Sequence, residues 1–348
     1  MKHTARFALA SSLLSATVQA TTYTLVDNYN STNFFSSFAF FDAADPTHGF
    51  VDYADAQTAS QNGLAGYINN MVYLGADYTT ANPPSGRAST RVTSTKSYDK
   101  GLFVADIQHM PVGCGVWPAF WTLGSNWPAG GEIDIIEGVN SQSTDAITLH
   151  TSPGCVMSNS GSAAGTQYSG GATGLDCGAN SGYAGCSLST TTANAYGPGF
   201  NANGGGVYVM EMASEAISVW FFPRGSAQAA SLATAAIPDT STFGTPMGMF
   251  TGCDIDRYFS AQQIIFDTTF CGDWAGAVWG QDATCAPLAS SCSAYVQQNP
   301  AAFVDAYWLI NSVKVYQASS GSSSNKRRSP YRAAEPKHKG VVPVPFLS

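Results

Sequence analysis

The chain has 348 residues, of which only 11% are charged; its formal net charge is −8 and it carries 35 glycines. That length allows one large domain or two smaller ones, with a sizeable core in either case. Of fifteen Lys and Arg, six lie near the C-terminus (Lys326, Arg327, Arg328, Arg332, Lys337, Lys339) and two at the start (Lys2, Arg6), which leaves seven for an acidic body. Such a body lacks the clustered cations that phosphate binding needs, so nucleic acid is excluded as a partner, whereas a neutral polymer stays compatible.

Residues 1–20 read as a secretory signal peptide: Lys2, His3 and Arg6 precede the apolar run Phe7 to Leu14, and Val18-Gln19-Ala20 offers a small-residue cleavage site. No later run reaches the ~20 apolar residues that a membrane-spanning helix needs, so a secreted, extracellular protein with no membrane partner is expected. Eight cysteines (114, 155, 177, 186, 253, 271, 285 and 292) all follow the signal. Metal-type Cys-x-x-Cys spacing is absent, and an even number in an exported chain points to four disulfides. The close pairs Cys177/Cys186 and Cys285/Cys292 read as local staples.

From Thr21 to Asp27 polar and apolar residues alternate, as in a first strand. Asn30-Ser31-Thr32 is an N-glycosylation sequon, which belongs on a surface. The aromatic run Phe34, Phe35, Phe38, Phe40 and Phe41 reads as core beneath a loop. Strand-like runs follow at Gly49 to Tyr53, Ile68 to Leu74, Arg87 to Thr95 and Gly101 to Met110, punctuated by Gly, Pro and Asn. That spacing predicts an all-β fold, a sandwich or a barrel. Arg87 and Arg91, four apart, are expected on one strand face, where they can donate to sugar hydroxyls or carboxylates. Trp117 and Trp121 likewise share a face if Cys114 to Trp121 is a strand. An indole face can stack on the C–H face of a pyranose, although core packing claims most tryptophans.

Glycines then bracket Glu132-Ile133-Asp134-Ile135-Ile136-Glu137, a short strand with a buried aliphatic face. Glu132 and Asp134 point the same way because side chains alternate with period two; Glu137, five residues from Glu132, faces oppositely unless a β-bulge at Ile135-Ile136 adds a residue. Three carboxylates on one face repel one another and contribute little to stability. Glycoside hydrolysis gives a reason to group them, since one carboxylate attacks the sugar while a second, held protonated by its like-charged neighbours, gives its proton to the leaving oxygen. An acidic exposed face, or a cation site of oxygen ligands, is the alternative.

Asp145 to His150 reads as the adjacent strand, bringing His150 near the acids as a structural or a helping residue. Residues 154–206, rich in Gly, Ser, Asn and Thr, are expected to form a long loop pinned by cysteines that walls a cleft. Val207 to Met212 and Ala216 to Phe222 form a hairpin, Gln262 to Asp267 another strand, Cys271 to Trp274 with Trp279 a loop, and Val304 to Gln317 the last strand, with Trp308, Ile310, Val313 and Val315 in the core. One domain thus covers residues 21–318, and 319–348 is a disordered basic tail. Serine hydrolase chemistry is disfavoured because no Gly-x-Ser-x-Gly elbow occurs, and only His48, His109 and His150 lie in the body to act as a base. Phosphate-cradling glycine motifs are missing as well.

The run from Cys114-Gly115-Val116-Trp117-Pro118-Ala119-Phe120-Trp121 through Trp127-Pro128 to Gly131-Glu132-Ile133-Asp134-Ile135-Ile136-Glu137-Gly138 resembles glycoside hydrolase family 16, specifically its fungal laminarinase-like endo-1,3(4)-β-glucanases. Leu149-His150, Ser218 to Arg224, Thr269 to Trp274 and Tyr307 to Ser312 extend the resemblance across about residues 21 to 318. It implies a concanavalin A-like β-jelly-roll sandwich with a concave glucan cleft. It also implies a retaining mechanism, with Glu132 as nucleophile, Glu137 as acid then base, and Asp134 tuning both. Two residues between Asp134 and Glu137 match the bulged branch and favour hydrolysis of β-1,3 or mixed β-1,3/1,4-glucan over cell-wall transglycosylation; a glucan binder without turnover is the remaining alternative. Trp117, Trp121, Arg91 and His150 are the candidate sugar contacts. No cofactor or catalytic metal is expected, and a monomer whose partner is the β-glucan polysaccharide is expected. Some relatives carry a structural calcium, for which no ligands are assigned here.

Overall fold

Period-two alternation of bulky apolar residues decides which side of each strand faces inward. In the computed structural model, which describes residues 23–158, 167–170, 175–179, 185–234 and 237–318, these strands form two eight-stranded sheets. The signal peptide and the basic tail expected from the sequence lie outside the described residues.

The cleft sheet orders its strands as Gln167–Gly170, Cys186–Ser189, Ala146–His150, Glu132–Glu137, Val116–Leu123, Gln262–Phe270, Arg91–Tyr98 and Phe38–Phe40. The outer sheet runs Gly248–Phe250, Ile217–Pro223, Gly206–Met212, Gly101–His109, Tyr307–Ala318, Met71–Gly75 and Ala65–Ile68, with Tyr23–Asn30 paired to Tyr307–Ala318. All pairings within these two sheets are antiparallel. The all-β jelly-roll sandwich expected from the sequence is the fold observed. Between the sheets lies one continuous core: Ile133, Ile136, Phe120, Ile147, Leu149 and Phe266 from the cleft sheet meet Phe103, Ile107, Tyr208, Met210, Trp308 and Val313 from the outer one. At about 25 cal/mol per Å2 of apolar surface removed from water, such burial is the main force holding the sheets face to face.

Several expectations need correction. Arg87 to Thr95 is not one strand: it breaks at Thr90 into Arg87–Ser89, which pairs in parallel with Val51–Tyr53, and Arg91–Tyr98. The break separates the two arginines. Arg87 is fully buried, donates from Nη2 to the Val296 carbonyl at 2.6 Å and stacks on Phe303, so it holds the C-terminal loops together. The 154–206 segment is more than a loop, because Cys186–Ser189 extends the cleft sheet beyond Ala146–His150 and Gly197–Ala202 is a short helix. Phe34 and Phe38 do reach the core, stacked at 4.1 Å, through a helical turn at Phe34–Ser37 and an edge strand at Phe38–Phe40.

Four disulfides are formed: Cys114–Cys285, Cys155–Cys253, Cys177–Cys186 and Cys271–Cys292. The expected Cys177/Cys186 staple is present, and the expected Cys285/Cys292 staple is not. Cys292 opens the helix Cys292–Gln298, capped by Ser291, and packs with Phe270, Cys271, Val296 and Phe303 in a separate cluster beside the end of the strand Gln262–Phe270. Non-reducing peptide mapping should recover Cys114 linked to Cys285, and a Cys114→Ser/Cys285→Ser variant should lose about 2–5 kcal/mol in denaturant unfolding. A Cys285–Cys292 peptide would refute this arrangement.

Candidate active site

The three acids reach one face through the bulge. Glu132 lies opposite Leu123 and Asp134 opposite Trp121; the register then shifts between Asp134 and Ile136, so that Glu137 comes opposite Ala119. Residues directly opposite on neighbouring strands share a face, and Ala119, Trp121 and Leu123 alternate along theirs, so Glu132, Asp134 and Glu137 share it too. Ile133, Ile135 and Ile136 are all fully buried beneath them. Gly131, at φ 75°, starts the strand where a Cβ would lie 2.5 Å from the Tyr258 carbonyl oxygen and from the Phe259 ring, so only glycine fits this entry.

Each glutamate is held by an indole. Trp117 Nε1 donates to Glu137 Oε1 at 2.8 Å, and Trp127 Nε1 donates to Glu132 Oε2. His150, opposite Glu132 on the next strand, places Nε2 3.5 Å from Asp134 Oδ2. Trp274 meets Trp117 edge to face at 5.6 Å.

The sequence candidates therefore converge, at different depths. Trp117 and His150 are half-buried beside Glu137 and Asp134. Trp121 and Arg91, 9% and 8% exposed, lie deeper in the floor. Trp121 Nε1 donates to Asp267 Oδ1 at 2.6 Å, and the Arg91 guanidinium is sandwiched between Phe41 at 4.5 Å and Trp121 at 5.0 Å. Three further residues were not singled out from the sequence for this site. Asp267 ends a strand that was foreseen, and alternation from Ile265 would have placed it on the floor. Trp127 was legible only as a neighbour of the acids. Asp145 accepts the Glu137 backbone N–H at 2.9 Å from below and left no signal beyond its strand.

Burial dominates the electrostatics. It raises Glu132, Asp134 and Glu137 above the ordinary carboxylate range, and mutual repulsion raises Asp134 and Glu137 further, with Asp267 adding to all three. The hydrogen bond between the Asp134 and Glu132 carboxyls raises Asp134 and lowers Glu132, as do the Trp127 N–H and the Arg91 charge for Glu132. Asp134 is thus the proton-bearing partner and Glu132 the one most favoured as a carboxylate. Glu137 is lifted also by the charges of Glu132, Asp267 and Asp145, against the Trp117 hydrogen bond. Burial lowers His150 to about 4, so it is neutral beside a protonated Asp134. Among the described residues no group of three or more His, Cys, Asp and Glu is placed to hold a metal ion.

Residues 38–316 match the family model described as an XgeA-like, catalytic GH16 domain. A probable endo-1,3(4)-β-glucanase of Aspergillus fumigatus is 47% identical over 332 residues, 91% of this chain and 49% of that protein. The chain spans about half the length of several such curated relatives. Among solved structures, laminarinase 16A of Phanerochaete chrysosporium, with 6-O-glucosyl-laminaritriose in donor and acceptor sites, is similar at 45% identity and a TM-score of 0.79, covering 85% of this chain and all of that one. An elongating GH family 16 β-1,3-glucosyltransferase is similar at 44% identity and a TM-score of 0.77, with the same shares covered.

Burial also lifts Asp267 to about 6 and Asp145 to about 8, above their values in the unfolded chain. Between the ordinary carboxylate range and these values the folded chain binds more protons than the unfolded one. The stabilisation is therefore complete below the ordinary carboxylate range and is lost as pH rises through that window. The thermal midpoint should fall from about pH 5 to about pH 8. A midpoint that rises over the same interval would contradict the buried state of these carboxyls.

Proposed function

The chain belongs to glycoside hydrolase family 16, and from that membership we propose that it is a secreted, endo-acting β-glucanase that cleaves β-1,3- and mixed β-1,3/1,4-glucans with retention. The observation that carries this reading is the bulge-aligned row Glu132, Asp134 and Glu137, with Glu132 favoured as carboxylate and Glu137 as acid. Four disulfides support an oxidising destination, and no helix among the described residues is long and apolar enough to cross a membrane.

Glu132 attacks the anomeric carbon as the glycosidic C–O bond breaks, and Glu137 passes its proton to the leaving sugar oxygen. The result is a glycosyl ester on Glu132 and a carboxylate at Glu137. Glu137 then takes a proton from water, whose oxygen attacks the same carbon and releases Glu132. Asp134 keeps its proton throughout, and its hydrogen bond to Glu132 stabilises the carboxylate both before attack and as it departs. Nucleophile and proton both come from side chains, so no cofactor is required. Trp117 and His150 are proposed to meet the sugar directly. Arg91 and Trp121, buried in the floor, act through Glu132 and Asp267. The working unit is a monomer, and its one partner is the glucan.

Transfer to a sugar hydroxyl uses the same ester, and the similarity to the elongating glucosyltransferase gives that reading its support. Product analysis on laminarin, mixed-linkage glucan and a β-1,4-glucan separates the two: shorter fragments with new reducing ends are expected, whereas chains longer than the substrate would make transfer the main reaction. Glu132→Gln should lower turnover by on the order of 10³-fold or more while binding persists, and Glu137→Gln by about 10²–10⁴-fold. The activity of the parent should fall in acid as Glu132 takes up a proton and in alkali as Glu137 loses one. Both limbs should lie above the ordinary carboxylate range. Substantial turnover by sequence-verified Glu132→Gln would remove Glu132 from the nucleophile's role.

A further inference from the structure

Glu137, paired to Ala119 on one side, has no partner on the other, where the strand Ala146–His150 runs. Pairing between the acid strand and Ala146–His150 ends at Asp134 opposite Thr148, so the N–H of Glu137 has no backbone acceptor on that side. A buried N–H left in that state costs free energy comparable to a lost hydrogen bond. The vacancy is filled by a side chain: Asp145 Oδ1 accepts the Glu137 N–H at 2.9 Å. Asp145 is fully buried, and no ion pair among the described residues includes it.

Its other oxygen, Oδ2, lies 3.2 Å from the Tyr208 hydroxyl, and that hydroxyl lies 2.5 Å from the Ala195 carbonyl oxygen. A phenol has one hydrogen and cannot donate to both acceptors. Both contacts are satisfied when Tyr208 donates to Ala195 and Asp145 itself carries a proton that it donates to Tyr208 Oη. Tyr208 belongs to the outer sheet, on the strand Gly206–Met212, so this chain of hydrogen bonds runs across the core and ties the backbone of Glu137 to the opposite sheet.

We propose that Asp145 is a positioning residue for the acid/base Glu137: a proton-bearing carboxyl that replaces the missing strand partner and fixes the carboxyl of Glu137 against the leaving oxygen. This rests on the acid/base role given to Glu137 above. The titratable groups facing Asp145 are Glu137 from the acid strand, Tyr208 from the outer sheet and Tyr196 from the segment ahead of the helix Gly197–Ala202. Burial among them, with no cation paired to it, keeps the Asp145 proton in place at neutral pH.

The test compares Asp145→Asn and Asp145→Ala on laminarin and on a dinitrophenyl β-laminaribioside, whose leaving group needs no protonation. Asn reproduces the protonated carboxyl, with one oxygen to accept from Glu137 and an amide to donate to Tyr208, so it should retain kcat within about 2-fold, and its thermal midpoint should fall less than the parent's between neutral and alkaline pH. Ala removes the acceptor and should lower kcat and kcat/KM on laminarin about 10- to 100-fold with little change in KM, a deficit that shrinks to about 3-fold or less in kcat/KM on the aryl substrate, which reports only the ester-forming step. A folded Ala variant with parental kcat, or one equally impaired on both substrates, overturns the proposal. Should Ala fail to fold, Asn decides: a loss of more than about 10-fold in its kcat, or an alkaline decline in midpoint as steep as the parent's, overturns it. Glu137→Ala on the aryl substrate is the control. If its kcat/KM is not recovered there, the role of Glu137 fails, whatever the Asp145 variants do.

Discussion

Everything in the site follows from one local irregularity, the extra residue at Ile135. Strand geometry forces alternate residues apart, and the acid strand must bury Ile133, Ile135 and Ile136 while presenting three carboxyls to the other side. A regular six-residue strand cannot meet that demand, whereas a bulged one can. The aliphatic side of the strand supplies its anchorage, because those isoleucines pack against Phe120, Leu149 and Phe266 in the central core. The carboxyls are thus held by an interface buried between the sheets, and the bulge converts core packing into placement of the acids.

The second constraint is electrical. Carboxyls grouped on a partly desolvated floor cannot all be charged, and their proton count is set by which of them is best solvated by donors. Glu132 has the most: an indole N–H from Trp127, the Asp134 carboxyl and the nearby Arg91 charge. Glu137 has one donor, Trp117, and is crowded by Glu132, Asp267 and Asp145. An asymmetry of donors separates two chemically identical side chains into one favoured as a carboxylate and one favoured as an acid, the pair that the proposed double displacement needs.

Much of this was legible in the sequence because it depends on local spacing. The alternation of Glu132 and Asp134, the parity conflict at Glu137 and the shared face of Trp117 and Trp121 are all properties of short strands. What was not legible depends on partners distant in sequence. The break at Thr90 that sends Arg87 into the C-terminal loops is decided by Val296 and Phe303, some two hundred residues away. Cys285 precedes the turn Ala286–Leu288 and Cys292 opens a capped helix, and the packing of these elements directs each to a different partner. Asp145 looks like an ordinary strand-edge residue until pairing ends short of Glu137 and leaves the N–H that it accepts.

The central claim is that Glu132 forms a covalent bond to sugar while Glu137 supplies and recovers the proton. The most direct measurement is mass spectrometry of the intact protein after incubation with a 2-deoxy-2-fluoro β-laminaribioside bearing an activated leaving group, followed by peptide mapping. The account predicts one added fluoroglycosyl mass, located on the peptide that contains Glu132 and absent from Glu132→Gln. An adduct on another residue, or none at all while the aryl group is released and the product anomer is inverted, would contradict it.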